Sequence, residues 1–144
     1  MNDSDLPGDA LHQVQRADGP VIADVHVPPS KSIVNRALIC AALADGTSTI
    51  TGIAPGDDTA AMISCLQQLG CGIGIRVEGD DRIADVAGTG GELSPGPMTL
   101  HAGLAGTTSR FITALSALGT GEYTIDGHPP LRARPMAPLH DSLA

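Results

Sequence analysis

The chain is poor in aromatic residues and carries a net negative charge. Among its 144 residues, Phe111 and Tyr123 are the only Phe, Tyr or Trp side chains, and the formal net charge is -8 at pH 7. Nucleic-acid binding is disfavoured, because both stacking platforms and a basic face are missing. A hydrophobic content of 42% still indicates a globular domain, whose core must be aliphatic.

Basic residues are also scarce, and Lys31 is the only lysine. Sixteen acidic residues outnumber eight cations, so an anionic ligand must meet a local cluster of positive charge rather than a global field. Five of the eight cations fall in three short stretches described below. The full set is Arg16, Lys31, Arg36, Arg76, Arg82, Arg110, Arg132 and Arg134.

Three cysteines are an odd number, and they lack paired or metal-type spacing. Cys40, Cys65 and Cys71 lie in or beside apolar segments, which predicts reduced core thiols in a cytoplasmic protein. No histidine has ligand spacing, so no metal is expected. Residues 1–19 show no signal-peptide pattern, and no apolar run is long enough to span a membrane.

The hydrophobic pattern predicts alternating strands and helices after a loose tail over residues 1–10. Two helices are apolar nearly all round and are therefore expected to be buried, whereas the helix between them is amphipathic, with Asp57 or Asp58 as its N-cap. Strands are expected at 11–16, 21–27, 47–53, 73–77, 82–86, 98–101 and 122–126, and helices at 32–44, 59–69, 107–118 and from 136 onward.

An internal repeat relates the two apolar helices and the strands that follow them. The segment 42–52 matches 117–127 at a constant offset of 75 residues. Extending both copies gives an α/β (α+β) unit with the order β-α-β-α-β-β. The first copy is complete and the second is cut inside its second helix, so the sequence predicts an incomplete fold.

The first motif is Lys31-Ser32-x-x-Asn35-Arg36, at the expected start of the first apolar helix. A helix N-terminus offers unpaired N–H groups and partial positive charge, both of which favour phosphate or carboxylate. The plain alternative is an N-capping serine beside solvent-facing cations. A buried helix disfavours that alternative, because cations at its tip need a partner or a ligand.

Two further stretches contain the remaining clustered cations. Gly106 and Arg110 lie at the start of the second apolar helix, where Gly106 permits close backbone approach to a ligand. Arg132 and Arg134 precede Pro135, which suits the first position of another helix. Alone, each stretch favours a plain alternative, namely a strand–helix turn for Gly106 and Arg110 and a solvated basic pair for Arg132 and Arg134.

Taken in order, these motifs, with Asp57-Asp58-Thr59 and Asp126-Gly127, resemble the EPSP synthase family over about residues 12–144. The resemblance implies a fold of two domains, each made of three β-α-β-α-β-β units with buried helices, and an active site between them. Residues 1–20 would then belong to the other domain, and residues 21–144 would form one and a half units of an enolpyruvyl transferase-like domain.

The resemblance also implies an activity. Family members transfer the enolpyruvyl group of phosphoenolpyruvate to the 5-hydroxyl of shikimate 3-phosphate and release phosphate, without a metal or organic cofactor. Lys31 would be catalytic and contact both substrates, while Ser32 and Arg36 would bind shikimate 3-phosphate. Gly106 and Arg134 would bind phosphoenolpyruvate, and Arg110 would line the same pocket.

Three positions depart from the family pattern, namely Ser30, Leu104 and Phe111, which stand where Gly, Asn and Pro are usual. The family's acid–base carboxylates would lie downstream, so the expected partner is the remaining part of the same enzyme. Three alternatives stay open: a stand-alone phosphosugar- or phosphate-binding module, a gene fragment that does not fold, and a relative of the UDP-N-acetylglucosamine enolpyruvyl transferase.

Overall fold

The structure is a computed structural model that describes residues 16–25 and 27–144. Helices and strands are mixed along it, with three strands in succession between the second and third helices, and two short helices follow the last strand. The helices are α1 (Lys31–Leu43), α2 (Asp57–Gln68), α3 (Gly106–Ser116), α4 (Pro129–Arg132) and α5 (Ala137–Leu143); the strands are β1 (Thr47–Ile50), β2 (Gly72–Glu78), β3 (Asp81–Ala87), β4 (Met98–His101) and β5 (Tyr123–Asp126).

The strands form two small sheets, one for each copy of the repeat. The first sheet is antiparallel with the order β1-β3-β2, and Ile50 and Ile75 both lie opposite Ala84. In the second sheet, β4 and β5 are parallel, with Leu100 opposite Ile125 and with α3 as the crossover between the strands. This arrangement confirms the expected mixture of helix and strand and the β-α-β order of the second copy.

One aliphatic core joins the sheets to the helices α1, α2 and α3. Its largest members are fully buried: Leu38, Met62, Leu66, Leu69, Leu100 and Ile112. Burying one such side chain contributes about 1.5–3 kcal/mol, so packing between helices and sheets holds the fold together despite the scarcity of aromatic residues. The core also fixes the helix axes, which positions the helix N-termini described below.

The strand expected at residues 21–27 is absent from the described residues. Residues 21–25 and 27 have no sheet partner, and Val21, Val25 and Val27 are 77%, 76% and 70% exposed. Alternation of apolar residues cannot form a strand without a neighbouring strand to accept its hydrogen bonds. The expected tail at 1–10 lies outside the described residues, as does nearly all of the strand at 11–16.

The expectation that both apolar helices are buried all round is wrong. Ile33 on α1 is 70% exposed, and Leu118, which lies just beyond the end of α3, is 59% exposed. Each of these helices contacts the rest of the described chain on one side only, so the opposite side is left uncovered. The apolar sequences of these two helices therefore predicted more burial than their contacts with the described residues provide.

The same uncovered face of α1 corrects the prediction for one thiol. Cys40 is exposed, whereas Cys65 and Cys71 are buried, and all three are unpaired. Burial raises the pKa of Cys65 to about 11 and also raises that of Cys71. The two inner thiols therefore stay protonated at neutral pH, as core residues do.

Helix boundaries differ from the expected ones at two places. Gly56, not an aspartate, is the N-cap residue of α2, while Asp57 and Asp58 occupy its first turn and complement the helix dipole. Pro135 is not the first residue of a helix, because α5 begins at Ala137. In contrast, Gly70 follows α2 with a φ of +105°, the conformation that favours glycine at a helix end.

Candidate anion-binding site

The N-termini of α1, α2 and α3 meet at one end of the described fold. A Cβ placed on Gly56, at the start of α2, would lie 3.5 Å from Nζ of Lys31, at the start of α1. On the other side of α2, the Thr108 hydroxyl of α3 donates to the Asp58 carbonyl over 3.2 Å. Three sets of unpaired N–H groups and three positive dipole ends therefore share one region, which favours an anion.

The first part of this region is the α1 tip, defined here as Lys31, Ser32 and Arg36. All three residues are exposed. Nη1 of Arg36 donates to the Ser32 carbonyl over 2.8 Å, as expected for residues four apart on a helix. The guanidinium carbon also lies 5.5 Å from the centroid of the Phe111 ring. One of the three departures from the family pattern therefore orients an arginine of the site.

The second part is the α3 pocket, a cavity of about 300 Å³ at the start of α3. Its lining residues are Asp58, Leu104, Gly106, Thr107, Arg110 and Arg134. The two arginines come from different elements, one from the first turn of α3 and one from the segment after α4. Asp58 adds a single acid, so cations exceed acids in the lining, and the pocket suits a small anion.

Gly106 allows the two arginines to converge. A Cβ on this residue would collide with Nη1 of Arg134 and would lie 3.6 Å from Nη1 of Arg110. The sequence predicts that Gly106 permits close approach of a ligand; in the structure, the close approach is made by the Arg134 side chain. Any larger residue here must displace the Arg134 guanidinium from its position.

The two arginines of the third motif have different surroundings. Arg132 makes two hydrogen bonds to Asp126, from Nε to Oδ1 and from Nη2 to Oδ2, each of 2.8 Å. That pairing, together with the Gly127 N–H, lowers the pKa of Asp126 to about 2, and it raises the pKa of Arg132. Arg134 enters no ion pair among the described residues. The charge of Arg132 is balanced, and Arg134 can serve a ligand.

A further contact joins α3 to the segment that contains Arg134. Nη2 of Arg110 donates to the Pro135 carbonyl over 3.1 Å. The Arg110 guanidinium therefore both lines the α3 pocket and holds the segment that supplies the second cation. This double role is not visible in the sequence, because it depends on a contact between residues 25 positions apart.

The structure thus divides the predicted site residues into two neighbouring groups. Gly106, Arg110 and Arg134 share the α3 pocket, and Lys31, Ser32 and Arg36 form the α1 tip outside it. Sequence reasoning missed two contributors, Asp58 in the pocket lining and Phe111 beneath Arg36. The signal for Phe111 was its departure from the family pattern directly after Arg110; Asp58 belonged to the Asp57-Asp58-Thr59 motif but was interpreted only as a candidate N-cap.

The geometry defines a class of protein, namely a repeated α/β fold that gathers helix N-termini and arginines at one end. The family model described as EPSP synthase (3-phosphoshikimate 1-carboxyvinyltransferase) matches residues 15–144. The chain therefore belongs to the EPSP synthase family.

Individual relatives agree with the family match. The 3-phosphoshikimate 1-carboxyvinyltransferase of a Nostoc species is 48% identical over 120 residues, which cover 83% of this chain and 28% of the relative. That of a Shewanella species is 40% identical over 124 residues, or 85% of this chain and 29% of the relative. The chain thus spans less than a third of the length of these curated relatives.

The solved structures show the same fold. An EPSP synthase from Acinetobacter baumannii aligns with a TM-score of 0.66 at 26% identity, covering 83% of this chain and 26% of that one. The enolpyruvyl transferase-like architecture predicted from the sequence is therefore confirmed for the part of the fold that this chain contains. In the described part of the chain, no helix has the length and apolar character needed to cross a membrane.

Proposed function

We propose that this chain supplies the N-terminal part of the substrate site of an EPSP synthase, the enzyme that transfers an enolpyruvyl group from phosphoenolpyruvate to shikimate 3-phosphate. The observation that supports this most strongly is the convergence of Arg110 and Arg134 over Gly106, next to the α1 tip. An acidic chain of charge -8 has no reason to gather cations there unless an anion binds.

In this proposal the two groups of residues serve the two substrates. The α3 pocket takes phosphoenolpyruvate, whose phosphate and carboxylate suit the two guanidinium groups. The α1 tip takes shikimate 3-phosphate through Ser32 and Arg36, and Lys31 contacts both substrates and is catalytic. Bidentate binding by arginine would fix the orientation of the phosphoenolpyruvate before the 5-hydroxyl attacks it.

The chain alone is proposed to bind without turnover. The family's acid–base carboxylates lie beyond the segment that this chain matches, and proton transfer at the enolpyruvyl methylene needs such groups. The partner is then the remaining part of the same enzyme, to whose other domain residues 1–20 would belong. We place the protein in the cytoplasm, in keeping with its three unpaired thiols.

Calorimetric titration of the chain with shikimate 3-phosphate, combined with a phosphate-release assay, tests this function. Two charge-assisted hydrogen bonds of about 2 kcal/mol each predict a Kd on the order of 1 mM. We expect saturable binding that Arg36→Ala weakens about tenfold, and no phosphate release from phosphoenolpyruvate. Release that depends on both shikimate 3-phosphate and Lys31 would refute the proposal of an incomplete site, and absence of saturable binding would refute the half-site.

A stand-alone phosphate-binding module is the second candidate, because the α3 pocket brings two arginines together against a single acid within this chain. The two candidates differ in selectivity. A module built for simple phosphate should bind inorganic phosphate as tightly as phosphoenolpyruvate, whereas a half-site should prefer phosphoenolpyruvate. A chain without a cooperative unfolding transition would instead indicate a gene fragment that does not fold.

A further inference from the structure

Arg134 reaches the α3 pocket from an irregular segment, which raises the question of what holds it there. Residues 133–136 lie between α4 and α5 and belong to neither helix. The Arg134 side chain is exposed and makes no ion pair among the described residues. A long, exposed side chain on such a segment has many rotamers, and fixing it costs entropy. Its place over Gly106 therefore needs support from the backbone that precedes it.

Two contacts fix the start of that backbone to the core. The His128 N–H donates to the Gly103 carbonyl over 2.9 Å, which joins the start of α4 to the loop before α3. Leu131 is buried, and a Cβ on Gly127 would lie 2.5 Å from its Cδ2 atom. These contacts anchor α4 on its inner side and leave its outer side to another interaction.

The Asp126–Arg132 pair supplies that outer interaction. Asp126 is the last residue of β5 and Arg132 the last residue of α4, so their two parallel hydrogen bonds close the turn between strand and helix. Oδ1 of Asp126 also accepts the Gly127 N–H over 2.7 Å. Arg132 lies only two residues before Arg134, and the Arg134 N–H donates to the Leu131 carbonyl over 3.0 Å. The end of α4 thus sets the direction in which the chain leaves toward the pocket.

We propose that Asp126 and Arg132 are a positioning pair, which holds the end of α4 so that the Arg134 guanidinium stays over Gly106 in the α3 pocket. Neither residue of the pair belongs to the lining of that pocket. The pair acts on the ligand only through Arg134, and this inference rests on the proposed binding of phosphoenolpyruvate. It also explains why one arginine of the Arg132-Ala133-Arg134 segment is balanced by an acid and the other is not.

A double-mutant cycle between Asp126→Asn and Arg134→Ala tests the pair, with phosphoenolpyruvate as the probe. We expect Asp126→Asn to weaken binding about fivefold, the upper range for a partly exposed ion pair. In the Arg134→Ala background the same change should have no further effect, because no guanidinium remains to be positioned. Arg132→Lys keeps the charge but loses the paired hydrogen bonds, so it should give an intermediate loss.

Asp85→Asn is the matched control. Asp85 also accepts a 2.8 Å hydrogen bond from an arginine, Arg76, which lowers the pKa of its carboxyl, but it lies on the first sheet. This variant should leave phosphoenolpyruvate binding unchanged. An equal loss in Asp85→Asn, or an undiminished effect of Asp126→Asn in the Arg134→Ala background, would overturn the positioning role.

A second readout needs no ligand and separates this inference from the proposed function. Nuclear Overhauser contacts between the Arg134 guanidinium and the Gly106 α-protons should be present in the unaltered chain and lost in Asp126→Asn. If those contacts are lost as expected while the unaltered chain does not bind phosphoenolpyruvate, the proposed function fails and the positioning pair stands. If the contacts persist in Asp126→Asn, the pair is refuted; should that variant not fold, Arg132→Gln replaces it.

Discussion

The two helix tips begin at Lys31 and Gly106, the same offset of 75 residues as the sequence repeat, yet they differ in where their arginines point. Arg36 is the sixth residue of α1 and Arg110 the fifth of α3. One residue rotates a side chain by about 100° around a helix. The residue of α1 that corresponds to Arg110 is Asn35, which is 2% exposed, whereas Arg110 is exposed.

This rotation changes what each tip can bind. Arg36 turns toward Phe111 and its own helix, and the α1 tip remains an open surface. Arg110 turns toward Arg134, and the two guanidinium groups line the α3 pocket. A repeated unit has thus produced two different cationic tips, one with a single arginine on an open surface and one with two arginines that line a pocket. In the proposed function, the α1 tip takes shikimate 3-phosphate and the α3 pocket takes the smaller phosphoenolpyruvate.

The largest effect is expected from Gly106→Ala in the α3 pocket. The added methyl group must displace the Arg134 guanidinium, so phosphoenolpyruvate should bind about tenfold more weakly or worse, the loss of one charge-assisted hydrogen bond. Alanine favours helix more than glycine does, so the Tm should not fall.

Gly74→Ala is the control for that change, because open space surrounds Gly74 on β2. Calorimetric titration of both variants decides the matter. Equal affinities for phosphoenolpyruvate in the two variants would mean that the α3 pocket does not bind it.

The α1 tip should bind a different ligand, shikimate 3-phosphate. Arg36→Ala should weaken shikimate 3-phosphate binding about tenfold and leave phosphoenolpyruvate binding within twofold, because Arg36 lies outside the α3 pocket. Arg76→Ala is a suitable control, since Arg76 lies on β2 and pairs with Asp85 on the first sheet. If Arg36→Ala weakens the binding of both ligands equally, the α1 tip and the α3 pocket form one site.

The smallest effect concerns pH and acts through the carboxylate of Asp126, which lies outside the lining of the α3 pocket. The pKa of Asp126 is about 2 in the folded chain, below the value of about 4 for an unfolded aspartate. The pair therefore stabilises the fold fully above about pH 4 and loses this contribution as the pH falls toward 2. The difference in Tm between the unaltered chain and Asp126→Asn should shrink over that range. A difference that stays constant down to pH 2 would argue against the pair.

The sequence predicted the elements better than their surroundings. The strand at Met98–His101 and the glycine that follows α2 at position 70 were predicted from local pattern and turn chemistry. Local pattern could not predict that residues 21–25 and 27 lack a sheet partner or that Ile33 is exposed, because both depend on which other chain segments are present.

The candidate site was predictable to a similar extent. The family resemblance predicted Gly106, Arg110 and Arg134 as ligand-binding residues, and the structure brings them into one pocket. The sequence could not reveal that Arg132 is neutralised by Asp126, since the five intervening residues must first turn back on themselves. It also could not predict that a second arginine joins the α3 tip alone, because that difference arises from a one-residue rotation and a distant arginine.

Binding of phosphoenolpyruvate in the α3 pocket through Arg134 is tested most directly by an NMR titration of the ¹⁵N-labelled chain, in parallel with the Arg134→Ala variant. We expect saturable shifts that are largest at the Gly106 and Thr107 amides, and a Kd about tenfold higher in the variant. An unchanged Kd in Arg134→Ala, or shifts concentrated on the β2–β3 hairpin instead, would contradict binding through Arg134.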